Sequence, residues 1–241
     1  MELFKTWLAE TYIAHRGLHG VSAPENSMKA FENAIEKNYA IELDVHLIAD
    51  GTVVVFHDTS LSRMTGKDGY VKNLVRDDLK DCFLAGTSYT IPTLEDVLQL
   101  VDGKVPLLIE IKNVDKVGAL EKAVIDLLNN YVGEFAIQSF NPFSLAYFKE
   151  HAPNFLRGQL ACYFKGEKMS YCKKFALKRL MLNKISQPHF ISYCAENLPN
   201  RFVKKYSKLP LLAWTVKSQK EYLRVVKYCD NIIFEGFVPS I

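Results

Sequence analysis

Several features that would place a chain in a common class are scarce or missing here. There are five cysteines (Cys82, Cys162, Cys172, Cys194 and Cys229), odd in number, scattered, and without a CxxC pair. That argues against a disulfide framework and a cysteine zinc site, and fits reduced thiols. No run approaches the roughly 18 apolar residues of a membrane span, so stable membrane insertion is not expected. The opening MELFKTWLAE has no basic leader followed by an apolar segment, so no signal peptide is expected and a cytoplasmic location is. Charge of one sign is also scarce. Thirty Lys and Arg against 27 Asp and Glu give a formal charge of +3, too mild to argue for a nucleic-acid partner. No G-x-G-x-x-G follows the first expected strand, which removes the usual evidence for an open dinucleotide-binding sheet.

What is present is a large apolar fraction, 49%, in 241 residues, enough for one sizeable core. The pattern reads as strands that are apolar throughout, alternating with amphipathic helices. Strands are expected to start at Tyr12, Ala40, Pro106, Glu134, Leu156, Phe190, Leu211 and Asn231. Asn26 or Ser27 can cap a helix running to about Lys37, and Thr93 a helix over Leu94–Val101. Continuous apolar strands in βα alternation are the signature of a parallel sheet covered on both faces. Eight such units predict an α/β fold of the TIM-type (β/α)8 barrel class, as a single domain over residues 1–241. From about Asp58 to Tyr89 the rhythm breaks into turn-rich sequence, which is expected to form an inserted excursion and not a barrel unit.

Glu42 and Asp44 lie two apart within the apolar run Ile41–Val45. On a strand, that spacing sends both carboxylates to one face. Buried charges are costly unless paired or metal-bound, so packing alone explains them poorly. In a barrel the site is built at the C-terminal ends of the strands. His15 and Arg16 end the first strand, Glu110 and Lys112 the third, and His57 follows the β run Val53–Phe56. Three carboxylates without cysteine suit a hard divalent cation, Mg²⁺ or Ca²⁺. Arg16 and Lys112 add an anion site, Arg as a planar fork and Lys as a point charge. Two histidines nearby can serve as acid and base, since imidazole titrates near neutral pH. Together these describe displacement at phosphorus.

The segments AHRGLHG-x-x-x-PENS-x-x-AF, IELDVHLIADGTVVVFHD, IPTLEDVL and LLIEIK, in this order, resemble the glycerophosphodiester phosphodiesterase family. The resemblance is strong over Ala14–Lys112 and continues more weakly through Gln138-Ser139-Phe140 and Ala213-Trp214-Thr215. It implies a TIM-type barrel with a small insertion after the second strand, here at about residues 46–90. By motif it implies Glu42, Asp44 and Glu110 as metal ligands, His15 and His57 as the acid–base pair, and Arg16 and Lys112 as phosphate contacts. It implies Trp214 as a wall of the glycerol pocket, although plain core packing is the competing reading of that residue. The reaction implied is hydrolysis of a small-molecule glycerophosphodiester to glycerol 3-phosphate and an alcohol. Where family members often have Thr-Asp or Thr-Asn after the last strand, this chain has Glu235-Gly236.

A lysophospholipase D or sphingomyelinase-D-like activity on lipid substrates is the alternative, and would call for an apolar groove, toward which Tyr163 and Phe164 point. A catalytically dead barrel would have lost a histidine or a metal carboxylate, and all five are present. His46 shares the parity of Glu42 and Asp44 but lies beyond the expected strand end; with His19, His151 and His189 it reads as structural. Lys165–Lys184 carries seven Lys and Arg against one acid, Glu167, which reads as a solvated helix face in preference to a membrane patch. The sequence does not specify an oligomeric state.

Overall fold

The computed structural model describes residues 3–113 and 116–240. In chain order the elements are α1 (Trp7–Glu10), β1 (Ile13–Ala14), α2 (Met28–Glu36), β2 (Ala40–Leu47), β3 (Val53–Val55), α3 (Ser62–Thr65), α4 (Leu94–Val101), β4 (Leu107–Ile111) and α5 (Ala119–Leu128). They continue as β5 (Phe135–Ser139), α6 (Pro142–His151), β6 (Leu156–Ala161), α7 (Tyr171–Lys178), α8 (Asn183–Ser186) and β7 (Phe190–Cys194), and close with α9 (Arg201–Lys204), β8 (Leu211–Val216), α10 (Gln219–Val225) and β9 (Asn231–Phe234). The backbone forms two compact units, residues 14–135 and residues 1–13 with 136–241.

In the first unit β2 pairs parallel with β4, placing Asp44 beside Glu110 and Glu42 beside Leu108. On its other side β2 pairs antiparallel with β3, Val45 opposite Val55. Every residue of β4, and all of β2 except Leu47, is buried. That continuous burial explains why the strands read as unbroken apolar runs. The two flanking helices are fixed by their starts. Ser27 accepts a hydrogen bond from the Ala30 N–H, and Ala30, Phe31 and Ala34 form the buried stripe of α2. Thr93 and Asp96 form a reciprocal capping box on α4, whose buried stripe is Leu94, Val97, Leu98 and Val101. The helix expected to run to about Lys37 ends at Glu36, the helix expected over Leu94–Val101 is α4, and the basic stretch Lys165–Lys184, expected as one helix face, contributes to two helices, α7 and α8.

Residues 57–92 hold α3 and two 3₁₀ turns, Val71–Asn73 and Arg76–Asp81. They have a small core of their own, in which Leu61, Met64, Val71, Leu79, Cys82, Leu84 and Ile91 pack on Ile48, Val54 and Phe56. In the second unit β5 to β9 pair in sequence, each parallel to the next. Their inner layer is partly polar: Ser192 donates to Gln138 Oε1 at 2.8 Å and Gln159 donates to the Ser139 carbonyl at 3.1 Å, all of them buried. The five thiols are free. Among the described residues no helix is long and apolar enough to cross a membrane.

Candidate active site

The site grows from the end of β2. Glu42 and Asp44 are 1% exposed and Glu110, on β4, is 6% exposed. One oxygen from each of the three carboxylates lies within 4.8 Å of the others. Like charges that close in a buried place are unfavourable, and the site shows it. Burial, then the charges of Asp44 and Glu110, push the Glu42 carboxyl well above its ordinary range. Burial also raises Glu110, with Lys112 opposing. Asp44 goes the other way: burial would raise it, but Lys112, His57, Arg16 and His15 together hold it well below the usual carboxylate range.

Two cations answer the three acids. Lys112 Nζ lies 2.6 Å from Glu110 Oε1 and 3.0 Å from Asp44 Oδ1. Burial opposes its charge, yet Asp44 and Glu110 outweigh that and hold the ammonium well above its ordinary value. Arg16 lies with Nε 3.5 Å from Asp44 Oδ2. Its position depends on an unusual loop, since Arg16 and Gly17 both have left-handed backbone, φ 56° and 79°. The turn delivers the Arg16 N–H to Glu42 Oε2 at 2.9 Å and the Gly17 N–H to the Glu42 carbonyl at 3.2 Å. A side chain at residue 17 would meet Ala30 and Phe31 of α2 at 2.9 Å, so glycine is required twice over.

Three acids with two cations leave the site short of positive charge. Asp44 Oδ1 is buried and makes no hydrogen bond among the described residues, although Lys112 Nζ is beside it. A buried, hard-oxygen donor set of this kind fits a divalent cation.

Outside the acids stands a chain of polar contacts. His57 Nδ1 contacts Asp58 Oδ1 at 2.7 Å. Burial holds the His57 imidazole below its ordinary pKa, partly offset by Asp44. Asp58 takes both Nε and Nη2 of Arg63, at 2.5 and 3.0 Å. Burial would raise Asp58, but hydrogen bonds from Arg63 and His57 bring it down to about 2. Arg63 also donates Nη1 and Nη2 to Glu25, at 2.9 and 2.7 Å, and Glu25 Oε1 accepts from Arg16 Nη1 at 2.6 Å.

The structure thus brings together Glu42, Asp44, Glu110, Arg16 and Lys112, with His57 joined to Arg16 through Asp58, Arg63 and Glu25. His15 adjoins Arg16 in the chain and is close enough for its charge to act on Asp44. Trp214 belongs to the second unit. Its ring meets Phe140 edge-on at 5.5 Å, and Phe140 meets Phe164 at 5.8 Å. The two more weakly matching segments of the sequence are therefore in contact with each other. Trp214 Nε1 is buried and has no hydrogen-bond partner among the described residues. Glu235 lies 3.5 Å from Lys217.

Of the two residues expected as candidate caps of α2, Ser27 is the cap and Asn26 is not. Asn26 instead donates Nδ2 to Asp44 Oδ2 at 2.9 Å, orienting the carboxylate. His46 lies within β2 and not beyond it, buried, with Nε2 3.2 Å from the His57 carbonyl. Pairing with β3 extends β2 past the point where the apolar run ends. Glu25, Asp58 and Arg63 carried no assigned role from sequence, although PENS and FHD contained two of them; the third lies 38 residues from Glu25 and only the fold joins them.

The chain matches the model of the glycerophosphoryl diester phosphodiesterase family over residues 15–237. It is 31% identical to a glycerophosphodiester phosphodiesterase of Caldanaerobacter subterraneus, covering 92% of each chain. It is 33% identical to a lysophospholipase D of Rattus norvegicus over 51% of this chain and 42% of that one. A phosphodiesterase of Oleispira antarctica, solved in complex with its product sn-glycerol-3-phosphate, superposes with a TM-score of 0.77 over 93% of this chain and 92% of that one, at 23% identity. That likeness shows the TIM-type barrel fold. The chain belongs to the glycerophosphoryl diester phosphodiesterase family, and is a phosphodiesterase of that family.

Proposed function

We propose that the protein hydrolyses glycerophosphodiesters to glycerol 3-phosphate and an alcohol, using a divalent cation held by Glu42, Asp44 and Glu110. The observation that carries this reading is the buried carboxylate trio with oxygens within 4.8 Å, short of positive charge and flanked by Arg16 and Lys112. Mg²⁺ and Ca²⁺ are the cations the donor set suits. A cation there supplies Lewis acidity toward the phosphate and offsets the charge that builds up on it.

The remaining steps belong to the chain. Arg16 offers its guanidinium to a phosphate oxygen, and Lys112 adds a point charge. His57 and His15 exchange the protons, one taking a proton from the attacking oxygen, that of water or of the neighbouring glycerol hydroxyl, and the other returning one to the leaving alcohol. Where the glycerol hydroxyl attacks, water then opens the cyclic phosphate to glycerol 3-phosphate. Contact of His57 Nδ1 with Asp58 leaves Nε2 as the exchanging atom. Burial favours the neutral form of the His57 ring, with Asp44 opposing. Trp214, whose N–H has no partner among the described residues and which stands beside Phe140, suits a wall of the glycerol pocket. We read the whole as one catalytic domain with an insertion at about residues 46–90, acting on a small soluble substrate in the cytoplasm.

The test is hydrolysis of glycerophosphocholine with glycerol 3-phosphate as the measured product. Addition of EDTA and, separately, Glu110→Gln should each reduce the rate at least about 100-fold, and full activity in either case would reject the mechanism. A lysophospholipase D reading is favoured by one observation beyond the rat relative: Tyr171 and Met181 stand 75% and 50% exposed within the basic segment. Lysophosphatidylcholine turned over faster than glycerophosphocholine, and faster still on vesicles, would select it.

A further inference from the structure

The catalytic reading leaves the insertion without a task. Its core is more than a surface loop needs, and what that core holds in place is α3, through Leu61 and Met64 on either side of Arg63. Arg63 is 48% exposed at its side chain, where a lone ion pair contributes little. Its geometry is different. One guanidinium makes two-pronged contacts with two carboxylates at once: Nε and Nη2 with Asp58, and Nη1 and Nη2 with Glu25, all between 2.5 and 3.0 Å. Each of those acids holds one residue of the site, Asp58 the His57 ring at 2.7 Å and Glu25 the Arg16 guanidinium at 2.6 Å.

We propose that Arg63 is a positioning residue of this phosphodiesterase: bridging Asp58 and Glu25, it fixes the His57 imidazole and the Arg16 guanidinium relative to each other. The inference rests on the roles given above to His57 and Arg16. The physics is a matter of fork geometry. Asp58 and Glu25 both point at the same place, so without a cation between them they repel and turn outward. Either movement loosens the side chain behind it. A displacement of about 1 Å in a reacting group can cost about 100-fold in rate. Lysine carries the charge but not the planar fork, and cannot hold two carboxylates in two-pronged fashion.

The test compares Arg63→Ala, Arg63→Lys and Asp58→Asn with the unchanged protein, all saturated with Mg²⁺ and assayed on glycerophosphocholine. Arg63→Ala should lower kcat/KM about 10- to 100-fold with the Mg²⁺ midpoint unchanged, and Arg63→Lys should recover only a small part. Millimolar methylguanidine should restore Arg63→Ala, a rescue that a merely structural loss would not give. Arg63→Ala with Asp58→Asn should cost no more than the worse single change. Imidazole nitrogen NMR supplies a reading independent of turnover: His57 should be a single Nδ1-protonated tautomer in the unchanged protein and a mixture in Arg63→Ala. An unchanged rate, or a loss that tracks unfolded fraction with no rescue, overturns the proposal, as does an unaltered His57 spectrum. Should Glu110→Gln keep full activity, the catalytic reading fails, and the NMR comparison alone decides whether Arg63 sets the His57 ring.

Discussion

Glu42 is where the cost of function is concentrated at the scale of a single residue. Its folded pKa is raised by burial and by two neighbouring acids, so its ionised form destabilises the fold above that pKa, and the penalty fades as pH falls and the group takes a proton. Glu42→Gln removes the charge and keeps an oxygen to accept the Arg16 N–H. In EDTA at neutral pH this variant should melt above the unchanged protein, by about 2–4 °C for each kcal/mol relieved in a chain of this size. It should also be inactive. A saturating cation should reverse the order, since a ligand at 100 times its Kd contributes about 2.7 kcal/mol to the state that binds it. Thermal melts with and without Mg²⁺ check this, and a Glu42→Gln midpoint below the unchanged protein in EDTA would count against the buried-charge argument. The principal residues were legible because their chemistry is local: acids two apart on a strand, and His-Arg-Gly at a strand end. Asn26 was not legible as a site residue, because a helix cap and a carboxylate partner ask for the same side chain.

At the scale of elements, two short segments hold the site, and each can be tested without assaying activity. In the His15-Arg16-Gly17 turn, Gly17→Ala must accept φ 79° and a contact of 2.9 Å with α2. Strain of that kind costs on the order of 1–3 kcal/mol, so urea unfolding should show a fall in stability of about that size. The insertion is anchored by Asp58 and Glu25, both held below the ordinary carboxylate range, Asp58 at about 2. A depressed folded pKa means the contribution is complete above the unfolded value near about 4 and is lost as pH falls through about 2. The midpoint difference between the unchanged protein and Asp58→Asn should therefore hold at pH 6 and close between pH 4 and 2. A gap independent of pH would mean the carboxylate charge is not the anchor. The βα rhythm after Pro92 was readable from apolar periodicity and caps such as Thr93 with Asp96. The end of β2 was not, because residues 46 and 47 stay in the strand through pairing with β3, a contact invisible to local pattern.

At the scale of the molecule, the mild formal charge conceals a strong separation. Residues 165–208 hold eleven Lys and Arg against Glu167 and Glu196, while the rest of the chain holds 19 Lys and Arg against 25 acids. The sequence suggested only a solvated helix over Lys165–Lys184. The fold adds Arg201–Lys208 to it, since Tyr206 donates to the Leu180 carbonyl at 2.9 Å and Arg179 lies 5.4 Å from the Phe202 ring. Lys165, Lys168, Lys173, Lys184, Arg201, Lys204, Lys205 and Lys208 are all exposed. A surface so divided should behave as a cation toward a negative support even where its net charge vanishes, because the field falls off over about 10 Å at 0.1 M salt and the acids elsewhere are screened from it. At pH 8.4, the isoelectric point of the sequence, a cation exchanger in low salt should therefore retain the protein. Reversing Lys173, Lys174, Lys204 and Lys205 to Glu should abolish retention. Reversing the exposed Lys37, Lys67, Lys80 and Lys104 changes net charge equally and should leave much of it. If the two fourfold variants elute together, the charge acts as a sum and not as a surface, and the basic segment is no more than a solvated face.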